Sequence, residues 1–449
     1  MTATPEPTDK PGSLLVLAVL SLLAGAFVGL VGALFRLSLQ QADLFRAAMV
    51  ARAHGMKAAG FLLVTAGCAA AAAIAAGLVR RFSPEASGSG IPHVEAVLTG
   101  EIPAARFTLL PVKFFGGVIA IGAGLALGRE GPSVQLGAGV ARLTAVVFRR
   151  NWADCRALLA AGAGAGLATA FNAPIAGSIF VLEELVRRFE TRMALAGLGA
   201  SATAIAVTRI FLVDAPDFSV KPLDYPPWQI GPLFFVLGAV AGLLAVVYNR
   251  TLLATVAAAD RLKRWPVEAR AACVGAAVGV LAWFTPGLVG GGESITQRTL
   301  DGTDAVALVP LVFLLRLALG AVSYAVQTPG GLFAPMLVLG AQIGLVFGAV
   351  CQHVFPGWHI QPEAFAVIGM AAFLTGVVRS PITGIVLIIE MTGSFSMLLS
   401  MLGACFTAML VATLLRDPPV YDSLREKTVQ RFRKIEGPRG VPEFREGRE

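Results

Sequence analysis

The chain has 449 residues, of which 56% are hydrophobic and only 14% are charged, and its formal net charge is +8. Soluble globular proteins carry about 25% charged residues, whereas the apolar residues here recur in runs of about 20, the length that crosses a hydrocarbon layer of about 30 Å. The composition excludes disordered and disulfide-stapled proteins, and nucleic-acid binding is excluded because the basic residues lie in short flanks without interleaved aromatic residues. A polytopic membrane protein is predicted.

The apolar stretches alternate with short polar or Gly/Pro-containing segments. The first follows a polar, proline-containing segment and is too long for the core of a signal peptide. Several later stretches are too short to span a bilayer, which predicts helices that end within the membrane and line a buried cavity. In chain order the stretches are 13–36, 58–79, 107–127, 155–182, 194–213, 230–257, 268–285, 305–325, 331–352, 363–378, 381–393 and 397–415.

The two halves of the chain repeat one another at an offset of about two hundred residues. The matches occur in the same order in both halves, which argues against a chance alignment of low-complexity sequence rich in Gly, Ala and Leu. Two related halves in one membrane chain are typical of transporters and channels whose site lies between the halves. The matches pair 84–100 with 286–302, 131–138 with 334–341, 173–184 with 380–391, Gly25 and Gly29 with Gly238 and Gly242, Lys113 with Arg316, and Glu183 with Glu390.

This pattern predicts five regions. They are a polar N-terminus (1–12), a first transmembrane repeat (13–213), a linker (214–229), a second transmembrane repeat (230–421) and a charged cytoplasmic tail (422–449). The basic residues of the tail favour a cytoplasmic C-terminus by the positive-inside tendency. The sequence pattern alone does not distinguish parallel from inverted repeats.

Three segments share a pattern in which glycine precedes proline. Proline is favoured at the first position of a helix, and glycine lets the preceding backbone turn sharply, so each segment predicts a helix N-terminus. Free N–H groups and the helix dipole favour an anion there, although a single segment could also be a simple kink. The segments are Gly88, Ser89, Gly90, Ile91 and Pro92; Gly128, Arg129, Glu130, Gly131 and Pro132; and Gly331, Leu332, Phe333, Ala334 and Pro335.

These segments resemble the signature set of the CLC family of chloride channels and chloride/proton antiporters. The matching text is GSGIP, GREGP and GLFAP in the three segments, PPVY ending at Tyr421, LPVKFFGG at 110–117 and FNAPIAG at 171–177. The resemblance covers about residues 13–421. It implies an all-α polytopic membrane protein of two inverted repeats with broken, tilted helices, assembled as a homodimer, and the substrate it implies is chloride.

The resemblance implies that Ser89 and Tyr421 donate hydroxyl groups to a central chloride, and that the N–H groups of Leu332 and Phe333 complete the site. Such donors suit a dehydrated chloride, which needs short-range hydrogen bonds but must also be released. The plainer alternatives are a helix N-cap for Ser89 and an interfacial aromatic anchor for Tyr421.

Proton transfer is assigned by the same resemblance to Glu130 and Glu184. A carboxylate among anion-binding N–H groups can occupy the site when ionised and leave it when protonated, so Glu130 would be both the gate and the outer proton acceptor. Glu184 would be the inner proton entry, which favours an exchanger over a channel. The alternatives are a salt bridge of Glu130 with Arg129 and a solvated helix end for Glu184. If it does not pair with Glu130, Arg129 would raise the local positive potential for anions; the alternative is that its side chain extends to the membrane surface.

Several other polar or charged residues lie among apolar residues in the sequence. We expect Lys113 with Glu95, and Arg316 in the second half, to form buried pairs that fix helices. His93 is expected on a helix surface. The Gly-rich segment 161–171 is expected to serve close helix packing rather than ligand binding.

The favoured function is secondary active exchange of chloride for protons, and the alternative is a passive, voltage- or pH-gated chloride channel on the same fold. An intramembrane hydrolase is disfavoured because the four histidines lie in no catalytic motif. We therefore do not expect an enzyme. By the same resemblance, Ser89 and the GREGP motif look like the chloride type, which disfavours fluoride export, and Ser rather than Pro at position 89 disfavours nitrate preference.

No metal or cofactor is expected, because the five cysteines are scattered and form no CxxC or Cys/His cluster. The expected partners are chloride and protons as substrates, the lipid bilayer and a second copy of the chain. Nucleic acid is not expected, because the basic residues lie in short flanks, and nucleotide is not expected, because we expect no CBS domains. The resemblance implies a location in the bacterial inner membrane, with the polar N-terminus (1–12) in the cytoplasm like the C-terminus.

Overall fold

The computed structural model describes residues 12–213, 215–262 and 264–436. Within these ranges the chain forms seventeen α-helices and no β-strand, so the predicted all-α class is confirmed. The helices are α1 (Leu14–His54), α2 (Ala58–Phe82), α3 (Ile91–Leu98), α4 (Leu109–Gly122), α5 (Glu130–Val147), α6 (Trp152–Phe171), α7 (Pro174–Phe180), α8 (Thr191–Phe211), α9 (Gly231–Arg261), α10 (Val267–Phe284), α11 (Glu293–Asp301), α12 (Val309–Ala325), α13 (Phe333–Val354), α14 (Pro362–Val378), α15 (Pro381–Thr392), α16 (Leu398–Leu414) and α17 (Val420–Glu436).

Eight helices within the described ranges are long and apolar enough to cross a membrane, and α4, α14 and α15 are shorter apolar helices. The apolar stretch 155–182 does not form one helix. It breaks after Phe171, where Asn172 adopts a left-handed conformation and Pro174 cannot donate the N–H that would continue α6. A wider π-helical turn, Val181–Leu185, then extends α7. The first helix runs further than its apolar stretch, to His54, and polar side chains in this extension find partners within the protein: Arg46 donates to the carbonyl of Gly122 at 2.7 Å.

Glycines bring the long helices into close contact, and the contacts repeat between the two halves. Gly25 and Gly29 of α1 face the backbone of Ala200 and Ala204 in α8, where an added Cβ would overlap. Close backbone approach of this kind is typical of packing between membrane helices. The corresponding contacts in the second half join Gly238 and Gly242 of α9 to Ala404 and Ala408 of α16. In the Gly-rich segment, Gly162 and Gly166 of α6 pack against α5 as expected.

Two carboxylates cap short helices of the opposite half. Glu390 of α15 accepts hydrogen bonds from the N–H groups of Ile175 and Ala176 at the start of α7, at 3.0 and 2.7 Å. In the reciprocal arrangement, Glu183 accepts from the N–H groups at the start of α15, those of Ile382 and Thr383, at 3.0 and 2.6 Å. Because no water is available inside a membrane, such free N–H groups need a protein acceptor. The carboxylates that pair in the sequence repeat therefore join the two halves.

We predict that Glu183→Gln and Glu390→Gln each lower the free energy of unfolding by about 1–3 kcal/mol. Glutamine can accept one of the two hydrogen bonds, but its NH₂ group would face the second N–H group. The measurement is the unfolding midpoint of the protein in detergent, with Glu426→Gln as the control because Glu426 is exposed on α17. Equal midpoints for all three variants would contradict the capping role.

Candidate anion site

The three Gly-Pro segments meet inside the protein and are tied together through their backbones. Gly128 and Gly331 exchange two hydrogen bonds of 2.9 and 2.7 Å. Gly88 donates to Thr328 and accepts from Gly330, both at 3.1 Å. The segments lead into α3, α5 and α13, so three helix N-termini from the two halves converge on one buried region. Such convergence favours an anion, because each N-terminus carries free N–H groups and partial positive charge.

The carboxylate of Glu130 lies at this convergence and is fully buried. Its Oε1 accepts a hydrogen bond of 2.6 Å from the N–H of Phe333 at the start of α13, whereas its Oε2 has no hydrogen-bond partner among the described residues. Glycine is needed at positions 128 and 331, because a Cβ at either would overlap this carboxylate. Glu130 thus itself occupies a place that suits an anion.

The hydroxyls of Ser89 and Tyr421 lie close to one another on fully buried residues. Neither has a hydrogen-bond partner among the described residues. The N-cap alternative for Ser89 does not fit, since Gly90 is the N-cap of α3 and no side chain caps that helix. Full burial likewise does not fit an interfacial anchor at Tyr421, whose ring stacks on Phe333 with centroids 6.0 Å apart. The N-cap of α13 is Leu332, which is also fully buried.

Arg129 does not pair with the neighbouring Glu130. Its guanidinium contacts Asp217 at 2.7 Å and Glu293 at 3.1 Å, and its Nε donates to the carbonyl of Ala170 at 2.8 Å. The residue is 9% exposed, so the alternative that it extends to the surface does not fit. The positive charge of Arg129 stays beside the start of α5.

Glu184 lies in the π-helical turn after α7 and is 2% exposed, which does not fit a solvated helix end. Its Oε2 accepts a hydrogen bond from the hydroxyl of Ser380, and Arg187 lies 3.7 Å from its Oε1. Arg187 also pairs with Asp422 at 2.7 Å, the residue after Tyr421. A cavity of about 640 Å³ is lined by Glu184 and Arg187. Glu184 therefore lies between an open cavity and the helix that carries Tyr421.

The expected pairing of Lys113 with Glu95 is wrong. The ammonium of Lys113 donates to the carbonyls of Ala86 and Gly88, at 3.0 and 2.7 Å, and so fixes the loop that precedes α3. Backbone carbonyls in a turn satisfy a buried ammonium without a carboxylate. Glu95 is 1% exposed, neither of its oxygens has a hydrogen-bond partner among the described residues, and it lies beside Glu184.

Arg316 makes the corresponding contacts with backbone carbonyls in the second half. It is 2% exposed and donates, with both distances 3.1 Å, to the carbonyls of Leu288 and Gly291 in the loop that precedes α11. The sequence correctly places Lys113 opposite Arg316, but not their acceptors. Each cation holds the loop before a short helix.

The expectation for His93 is also wrong, because this residue is 7% exposed rather than on a helix surface. All eight residues of α3 are buried, so this short helix has no solvent-facing side. The hydropathy of a short segment does not show whether other elements enclose it.

Two tyrosines near the site were not found by the sequence reasoning. Tyr324 accepts a hydrogen bond from the N–H of Ser89 at 3.4 Å, and the buried Tyr248 lies within electrostatic range of Glu130. The chain has only four tyrosines, and these two lie within apolar stretches. A buried phenol usually needs a polar partner, so a tyrosine within an apolar stretch is a signal that could have identified these two residues.

Comparison with known proteins shows similarity over nearly the whole chain. A family model described as voltage gated chloride channel matches residues 71–413. The H(+)/Cl(−) exchange transporter ClcA of Cronobacter sakazakii is 36% identical over 425 residues, which cover 92% of this chain and 90% of that protein. The ClcA of Salmonella arizonae is 38% identical over 362 residues, which cover 78% of this chain and 76% of that protein.

Solved structures are similar as well. A structure described as a slow cyanobacterial Cl⁻/H⁺ antiporter matches with a TM-score of 0.88 at 28% identity, and the match covers 95% of this chain and 99% of that one. A CLC-type fluoride/proton antiporter matches with a TM-score of 0.75 at 21% identity, covering 91% of this chain and 97% of that one, and supports the fold alone.

We predict that Lys113→Met weakens chloride binding by about three- to tenfold, because two buried carbonyls beside Ser89 lose their donor and one positive charge is removed. The measurement is chloride titration calorimetry on the purified protein. Arg316→Met is the matched control, because it removes the corresponding cation beside α11, which carries none of the predicted anion donors. The role of Lys113 is contradicted if the two variants change the affinity equally.

Proposed function

Because the chain belongs to the voltage-gated chloride channel (CLC) family, we propose that it is a secondary active transporter that exchanges chloride for protons. It is an integral multi-pass membrane protein of two inverted repeats with broken helices. The curated relatives that it resembles over most of their length are named H(+)/Cl(−) exchange transporters, which supports the same activity here.

The observation that carries the proposal is the hydrogen bond from the N–H of Phe333 to the carboxylate of Glu130. An ionised carboxylate and a chloride ion compete for the same donor, because both are small anions. Protonation removes the charge of Glu130 and weakens this bond, so the side chain leaves and chloride takes its place beside the hydroxyls of Ser89 and Tyr421. One site thus couples the arrival of a proton to the movement of an anion.

Glu184 is proposed as the inner proton carrier. A buried carboxylate that borders a cavity can take up a proton from the aqueous side and pass it inward. Its neighbours are suited to this role: Ser380 holds one oxygen, and the other faces Arg187 at a distance longer than a hydrogen bond. Protonation of Glu184 therefore does not require breaking a short ion pair.

We propose that chloride and protons are the only substrates and that transport needs no cofactor and no enzymatic step. The five cysteines are free thiols. The basic residues of α17 support a cytoplasmic C-terminus by the positive-inside tendency. On this proposal both termini lie in the cytoplasm of a bacterium, the protein resides in the inner membrane, and the cavity beside Glu184 faces the cytoplasm.

We also propose a homodimer that uses the face formed by α7 and α15. These two short helices pack against each other, and their first turns expose Ile175 and Ile382, at 55% and 57%. The carboxylates of Glu183 and Glu390 that cap these helices are only half-buried, and charged groups are costly against lipid, so this face needs a protein cover. A second copy supplies it through a two-fold contact with the same face.

We predict that a chloride gradient drives protons uphill in proteoliposomes of the wild-type protein. Glu130→Gln and Glu184→Gln are expected to abolish proton movement, because glutamine cannot carry a proton, while Glu184→Gln still moves chloride. The measurement is simultaneous recording of chloride efflux and external pH, with Glu426→Gln as the control. Chloride flux without coupled protons in the wild type would identify a passive channel.

We predict that Ile175→Asn combined with Ile382→Asn shifts the detergent-solubilised protein from about twice the chain mass to the chain mass of 46.6 kDa. Two amide side chains in a membrane interface would lack partners and weaken packing. Light scattering measures the mass. Leu311→Asn, at an exposed apolar position of α12, is the control, and a dimer that persists in the double variant would place the interface elsewhere.

A further inference from the structure

The linker between the two repeats lies against the cavity at the Arg129 end of the anion site, which we call the mouth. Its backbone is fastened to both halves, by hydrogen bonds of 3.0 Å from Asn172 to the carbonyl of Ala215 and from the N–H of Phe218 to the carbonyl of Met391. Gln297 exchanges two further hydrogen bonds with the backbone of the linker. The linker is therefore a fixed part of this mouth.

Asp217 in the linker joins two arginines from different helices. Its Oδ1 lies 2.8 Å from Arg36 of α1, and its Oδ2 lies 2.7 Å from Arg129 at the start of α5. The side chains involved are only 7%, 12% and 10% exposed, respectively. Each arginine also donates to a carbonyl at the end of α6, that of Thr169 or Ala170. This carboxylate thus compensates two nearly buried positive charges.

These three residues line a cavity of about 170 Å³ that reaches Ala334, the neighbour of the anion donor Phe333. Among the described residues that line it, Arg36 and Arg129 supply positive charge, and Asp217 and Glu293 supply negative charge. The side chain of Glu293 is 50% exposed, so solvent screens its charge. Asp217 is the carboxylate that pairs with both arginines, whereas Glu293 pairs with Arg129 alone.

We propose that Asp217 is a positioning residue that sets the chloride affinity of this mouth. It holds Arg129 away from Glu130 and cancels positive charge that would otherwise retain an anion at the entrance. Conduction requires binding that is strong enough for entry and weak enough for release. The inference rests on the proposed function, because it assumes that chloride passes through this mouth.

The test is a charge-balance cycle on the full-length protein, with chloride titration calorimetry and unfolding midpoints measured in detergent and exchange rates measured in proteoliposomes. Asp217→Asn adds one net positive charge, Arg36→Gln removes one, and the double variant restores the balance. We expect Asp217→Asn to tighten chloride binding about three- to tenfold and Arg36→Gln to weaken it by a similar factor. The double variant is expected within about twofold of wild type.

Two further variants separate charge from structure. Asp260→Asn removes the carboxylate of a solvent-exposed Asp–Arg pair, formed by Asp260 of α9 and Arg431 of α17, neither of which lines this cavity, and is expected to leave the chloride affinity unchanged. Asp217→Glu keeps the charge and should keep the affinity even where the unfolding midpoint falls. If Asp217→Asn does not fold, Arg36→Gln decides, because weaker chloride binding supports the proposal and unchanged binding overturns it.

A merely structural role for Asp217 predicts a different result. All variants of the cycle would then lower the unfolding midpoint, and their chloride affinities would fall together or stay constant, which would overturn the proposal. The wild-type protein is measured first. If the wild type neither binds nor transports chloride, the proposed function fails, whereas a functional wild type without opposite shifts in the variants contradicts only the role of Asp217.

Discussion

The structure depends on one requirement: a helix that begins inside an apolar layer must find acceptors for its first N–H groups. Three helices meet it with a carboxylate from the opposite half. Glu390 serves α7, Glu183 serves α15 and Glu130 serves α13. The first two use both oxygens and pack the halves together. The third uses one oxygen on one N–H group. On the proposed function, this third contact is the one that a chloride ion can replace.

The backbone around the Glu130 contact is held in place by further hydrogen bonds. Backbone hydrogen bonds join the Gly128 and Gly331 turns, and Lys113 holds the turn before α3 through two carbonyls. Glycine at these turns leaves room for a carboxylate that any Cβ would displace. Preorganised donors of this kind lose little free energy to rearrangement when one anion replaces another. The mobility of the site can thus be confined to one side chain.

Much of this arrangement is readable from the sequence, because it depends on local signals. Gly-Pro turns predict where helices begin, and the collinear repeat by itself pairs Glu183 with Glu390. Such motifs predict the family of the chain and its all-α fold, and both predictions are confirmed. The assigned roles of Ser89, Glu130 and Tyr421 remain predictions, although the structure brings these residues together.

The failures concern neighbours that are distant in the sequence. Charge suggests a pairing of Lys113 with Glu95, but the nearer acceptors are carbonyls, which carry no sequence signal. His93 is enclosed by other elements rather than exposed. Asp217 could not be recognised, since one acidic residue in a polar linker does not reveal that two arginines from α1 and α5 will meet it.

The reciprocal caps also have a consequence for biogenesis. The N–H group of Ile175 donates to the carboxylate of Glu390, which lies 215 residues later in the chain. The first half therefore leaves the ribosome and enters the bilayer before Glu390 has been synthesised. Until then α7 holds an unsatisfied end, for which lipid offers no acceptor. The cap of α7 therefore stays incomplete until Glu390 is inserted, so the first half cannot complete its own packing before the second half is made.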